Sequence, residues 1–129
     1  MKISDTITEK FYNEFNPIKD KFRIIPLTIS EAFNSKNLNV AYPGVYIFWY
    51  ENKIIKVGRH FINSRKRALE HIRDNTMNEF FQMKTFENCS KDCGLVLINC
   101  KDKNDYYWVA ALEIYLEIVL KPIIKSKRT

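Results

Sequence analysis

The run Gly44-Val45-Tyr46-Ile47-Phe48-Trp49-Tyr50 constrains this chain more than any other segment. β-branched and aromatic side chains fit a pleated, buried surface and lose χ1 freedom in a helix. The polar triplet Glu51-Asn52-Lys53 and a second apolar run, Ile54 to Val57, follow, so the segment predicts a β-hairpin. A three-residue loop would pair Phe48 with Lys56 and Tyr46 with Gly58, placing Tyr46 and Lys56 on one face; a two-residue loop without a bulge would separate them. Gly58 is expected to end the second strand, and Asn63 or Ser64 to cap a helix from about Arg65 to Asp74. On that helix Ala68, Leu69 and Ile72 form the core stripe, while Arg67 and His71, four apart, share another flank.

The remaining segments predict an α+β domain with an antiparallel three-stranded sheet flanked by helices. Residues 5 to 15 suit a short amphipathic helix with Phe11 and Phe15 four apart, and Thr28 or Ser30 suits the cap of a second. These belong to an N-terminal extension, 1–41, that packs on a core of 42–129. Thr76 to Asn88 fits either a helix or a packed loop. Gly94 to Cys100 reads as a buried strand, and Asp105 can cap a helix from about Tyr106 to Leu120, stopped by Pro122. That helix is apolar nearly all round yet carries Glu113 and Glu117 on one stripe, which is either its wet face or the source of a carboxylate facing a basic cleft.

At 129 residues, 46% of them hydrophobic, the chain suits one folded domain. The longest uncharged run, Asn37 to Tyr50, holds Pro43 and Gly44 and falls short of the roughly 20 apolar residues of a spanning helix. The opening MKISDTITEK lacks the apolar stretch of a secretory signal, so the cytoplasm is the expected compartment. Cys89, Cys93 and Cys100 are odd in number and argue against a disulfide framework; without a second ligand pair they also argue against zinc. The net charge of +6 is concentrated: Lys53 to Arg73 holds seven bases against Glu70, and Lys121 to Thr129 holds four bases and no acid. Such a patch either solvates a helix or attracts a polyanion through counterion release.

The ordered set Gly44-Val45-Tyr46, Lys56-Val57-Gly58 ten residues on, Arg67 and His71 on the next helix, and a Glu in a late helix resembles the GIY-YIG nuclease domain. Gly44-Val45-Tyr46 stands where the first triplet stands, and Lys56-Val57-Gly58 where the second does. Glu113 is chosen over Glu117 because it precedes Pro122 by nine residues, as the catalytic Glu precedes a Pro in members such as the excision-repair nuclease subunit. The resemblance covers roughly residues 42 to 125. Three departures accompany it: Lys56 replaces the second tyrosine, the loop from Gly58 to Arg67 is one residue longer than in many members, and Lys125 stands where an Asn is frequent.

The resemblance implies a metal-dependent endonuclease that hydrolyses DNA phosphodiester bonds. Tyr46 would activate the water with help from Lys56 or His71, and Arg67 would grip the scissile phosphate. Glu113 would hold one Mg²⁺ (or Mn²⁺) against the leaving 3′ oxygen. Arg59, His60, Arg65, Lys66, Arg73 and Lys125 are the expected DNA contacts. The expected partner is DNA, with no membrane, and a homodimer or larger nuclease assembly is compatible. The alternative is an inactive nuclease-like domain that binds nucleic acid or serves as a subunit of a repair or defence complex.

Overall fold

The computed structural model describes residues 2–126; Lys127 and Arg128 of the basic tail lie outside the described residues. The aromatic run is an inner strand of a four-stranded antiparallel sheet, ordered β1-β4-β2-β3. The strands are β1 (Phe22–Leu27), β2 (Gly44–Tyr50), β3 (Lys53–His60) and β4 (Cys93–Cys100). The expected count of three therefore lacked β1, which pairs along β4 from Phe22↔Cys100 to Leu27↔Leu95. β1 is an edge strand, which is why it tolerates Pro26. β4 is buried at all eight positions because it has a strand on either side and helices over both faces.

The hairpin has the expected pairing but reaches it differently. Tyr46 pairs with Gly58 and Phe48 with Lys56. Glu51 and Asn52 both take left-handed φ, 47° and 65°, so the loop is a two-residue turn whose twist suits a hairpin. A bulge then passes over Ile55 between the Phe48↔Lys56 and Trp49↔Ile54 pairs, restoring Lys56 to the face of Tyr46. The strand continues past Gly58 to His60, further than the glycine suggested.

One face of the sheet is covered by α1 (Ile3–Phe15) and α4 (Trp108–Leu120), which enclose Val45, Ile47, Val57, Val96 and Ile98. The other is covered by α2 (Ile29–Asn34), α3 (Ser64–Arg73) and the turn Met83–Asn88, against Tyr46, Phe48, Ile55, Leu95 and Leu97. Thr28, not Ser30, caps α2, in a reciprocal box with Glu31. Asn63 caps α3 through the Lys66 N–H, and the buried Ser64 hydroxyl ties the start of α3 to Asn99 of β4 at 2.6 Å. That bond fixes the helix carrying Arg67 and His71 over the sheet.

The start of α4 departs from expectation. Asp105 does not cap it; Lys103–Asp105 form a 3-10 turn and the chain enters α4 through Tyr107, already helical, with no side-chain cap. At its other end Lys121 turns left-handed, φ 52°, and the segment after Pro122 runs along the open edge of β3. There the N–H groups of Ile123 and Ile124 donate to the carbonyls of Ile54 and Ile55, which covers part of an edge that would otherwise be unpaired. Residues 76–88 are a packed loop, pinned by a Met77↔Gln82 bridge, with the 3-10 turn Met83–Asn88. Cys89 and Cys93, expected to be free, form a disulfide, while Cys100 is free and buried. Asp92 lies in the left-handed region and curls the chain so that the two Cα atoms stand 6.5 Å apart. Among the described residues no helix is long and apolar enough to cross a membrane.

Candidate functional site

β3 is the outer strand of the sheet, so α3 on one face and α4 on the other meet around it. Between them opens a cleft of about 510 Å³ whose polar lining comes from β2, β3, α3, α4 and the C-terminal segment. Tyr46, Lys56, Arg67 and His71 enter it from the α3 face, Arg59 and Glu113 from the α4 side, and Lys125 from the rim. Thus the five expected catalytic residues, and two of the expected DNA contacts, line one cavity.

On one wall the Tyr46 hydroxyl lies 2.7 Å from His71 Nε2, and His71 Nδ1 lies 2.6 Å from Thr76 Oγ1. Two tautomers satisfy both bonds; the one protonated on Nδ1 leaves Nε2 as an acceptor for the phenol proton. Burial pushes the phenol well above its ordinary pKa, while the Arg67 guanidinium pulls it down and Glu113 pushes it up. Burial, with Lys56 and Arg67 nearby, pushes His71 down to about 4, so the imidazole is neutral at neutral pH. Gly58 has a geometric reason: it sits beneath Tyr46, and a Cβ there would run into the ring at Cζ and the hydroxyl.

Opposite lies Glu113, only 2% exposed, whose Oε1 accepts from Arg59 Nη1 at 2.9 Å. Ser126 Oγ stands 3.1 Å from Oε2 and 3.2 Å from the Val57 carbonyl, and its single proton serves one of them at a time. Glu117, one turn on, accepts from the Ser126 N–H instead. It is absent from the cleft lining, to which Glu113 belongs. Arg67 Nη1 rests 3.1 Å from Glu70 Oε1, a half-exposed pair that a stronger anion can displace.

The other expected DNA contacts lie outside the cleft. Arg65 donates to the Ser35 carbonyl at 2.7 Å and to that of Ala32 at 3.4 Å, so it fastens α3 to α2. His60 Nδ1 accepts from the N–H groups of Ile62 and Asn63 and shapes the loop into α3. Arg73 is engaged by Asp74 through two hydrogen bonds, and Lys66 is exposed on the outer side of α3 beside Arg73. Thr76 and Ser126 were missed: each reaches the site from a loop and belongs to no spaced motif. Among the described residues no group of three His, Cys, Asp or Glu could hold a metal ion, and Glu113 is the carboxylate among the described residues lining the cleft. No family model, no curated protein and no solved structure matches the chain.

Proposed function

We propose that this chain is an endonuclease hydrolysing DNA phosphodiester bonds by the GIY-YIG type of mechanism. The observation that carries it is the Tyr46–His71–Thr76 hydrogen-bond chain, which lines one wall of the cleft together with Lys56 and Arg67 while Glu113 stands on the other. Phosphodiester hydrolysis needs an acceptor for the water proton, fixed cations around the phosphorane, and stabilisation of the leaving oxygen. A phenol held above its ordinary pKa does not ionise alone at neutral pH. It can pass its own proton to His71 Nε2 while taking one from the attacking water, so no free phenolate forms. His71 is a weak base in the resting cleft, but the negative charge of a bound phosphate raises its proton affinity when the transfer is needed.

Arg67 leaves Glu70 for the phosphate and offers its planar fork, worth more as charge builds in the transition state. Lys56, on the face of Tyr46, holds the phosphate or the water in line. Arg59 neutralises Glu113 in the resting cleft through their 2.9 Å pair.

The donor set suits Mg²⁺: a carboxylate oxygen is a hard ligand, and the cleft has room for a largely hydrated ion. Glu113 would hold it, with Arg59 ceding its contact, and the ion would supply Lewis-acid stabilisation of the leaving 3′ oxygen. One observation favours the second reading, DNA binding without cleavage: Glu113 is already neutralised by Arg59. Nicking of supercoiled plasmid with and without Mg²⁺ separates the two. Metal-dependent nicking by the wild type that Tyr46→Phe abolishes supports the nuclease; retention on DNA without nicking in Mg²⁺ or Mn²⁺ favours the binder.

A further inference from the structure

One end of the sheet, where β2 begins and β3 and β4 finish, carries exposed rings that contribute little to the core. Phe61 is 43% exposed, Tyr106 49% and Tyr107 58%. They form a row: Phe61 and Tyr106 meet edge to face with centroids 6.0 Å apart, and Tyr106 and Tyr107 do the same at 6.0 Å. Rings packed for stability are normally buried; about half of each of these stays in water, as in a binding surface. The row starts at the cleft, because the Arg59 guanidinium that bonds Glu113 also lies 5.4 Å from the Phe61 ring centroid.

The charge at this end suits a phosphate strand. Lys103 stands 5.1 Å from the Tyr42 ring centroid, and Lys101 is exposed beside it. Of the nearby acids, Asp105 is paired with Lys21 and Asp102 turns its carboxylate to the Asn104 N–H. Cations beside open aromatic faces are the composition of sites that hold single-stranded nucleic acid.

We propose that Phe61, Tyr106 and Tyr107 are a stacking platform for unpaired bases, so that the preferred substrate is DNA with a single-stranded segment adjoining the scissile phosphate, as in a flap or branch. In a duplex the base faces are covered and follow at a rise of about 3.4 Å, so the row has nothing to stack on. Because neighbouring rings meet edge to face, at 70° and 79°, their open faces point in different directions, and each can take only a base that has left the stack. For the cut the platform rests on the nuclease reading; for the binding it does not.

The test is binding in EDTA, by fluorescence anisotropy, to a plain duplex and to the same duplex with an unpaired arm carrying 2-aminopurine. The wild type should favour the flapped DNA by roughly tenfold or more and quench the arm's fluorescence on binding. Phe61→Ala combined with Tyr106→Ala should lose the quench and bind both DNAs alike, whereas Tyr106→Phe, which keeps the ring, should retain both signals. Wild-type binding with no quench and no preference would overturn the platform, and so would a double variant that keeps the preference. A wild-type dimer that the double variant turns to monomer, with DNA binding unchanged, would also overturn it by assigning the rings to a second copy. Quenching by a wild type that never nicks plasmid would leave the platform standing and remove the nuclease; nicking without preference or quench would do the reverse.

Discussion

A buried neutral histidine makes the stability of this fold depend on acid in a calculable way. His71 is 7% exposed and bonded on both ring nitrogens, and its pKa falls from 6.5 to about 4. Burial is the main cause, with Lys56 and Arg67 adding to it and Glu70 and Asp74 opposing it. Between those two values the unfolded chain binds the proton and the folded one does not, so stability falls as the pH drops through that window. At about 1.4 kcal/mol per pH unit the penalty grows to about 3 kcal/mol at pH 4, a large share of what a domain this size commands. Urea unfolding of the wild type and of His71→Gln, at intervals from pH 8 to pH 4, isolates this contribution because the carboxylates cancel in the difference. The wild type should lose about 3 kcal/mol relative to the variant over that range. Parallel curves, or an imidazole NMR titration centred near 6.5 in the folded protein, would refute the reasoning.

Gly58→Ala forces a methyl into the Tyr46 ring, so it should destabilise by about 1–3 kcal/mol in denaturant melts and weaken cleavage more than binding. Glu113→Gln should abolish Mg²⁺-dependent nicking with DNA affinity intact or raised, since one repulsive charge is gone; an active Glu113→Gln beside an inactive Glu117→Gln would reassign the acid. Arg67→Ala should slow turnover roughly 100-fold or more while flattening the salt dependence of binding by about one unit, measured by single-turnover cleavage and titrations in NaCl.

What the sequence revealed follows from which contacts are local. The hairpin, α3 and the buried strand were legible because their patterns repeat over neighbouring residues, and helix spacing alone put Arg67 and His71 on one flank. β1 was not, since Phe22-Arg23-Ile24-Ile25-Pro26-Leu27 has no clean alternation and its proline reads as a break. Its strand character comes from β4, a partner far along the chain. The pairing of Tyr46 with Gly58 was foreseen, but not the turn and bulge that produce it, because Asn52 and Glu51 carry no glycine to mark two left-handed residues. Thr76, Ser126 and the Arg59–Glu113 pair depend on where loops return, which no spacing encodes. Charge counting likewise cannot see that carbonyls engage Arg65 and that a carboxylate pairs with Arg73.

The bulge at Ile55 acts as a gear between the two halves of the hairpin. Ahead of it Tyr46 faces α3; beyond it Lys56 and Gly58 face α3 while Val57 and Arg59 turn to α4, and the cleft needs members of both sets. Register in this hairpin therefore matters more than residue identity. Straightening the bulge without removing a residue would pair Lys56 with Ile47 and invert every side chain from Lys56 to His60, sending Lys56 away from Tyr46 and Arg59 away from Glu113. Removing two, one from each strand beside the turn, preserves the alternation. Deletion of Ile55 should therefore leave the cleft's facing intact, whereas deletion of Val57 should turn Arg59 away from Glu113, even where single substitutions at Glu51 or Lys53 pass unnoticed.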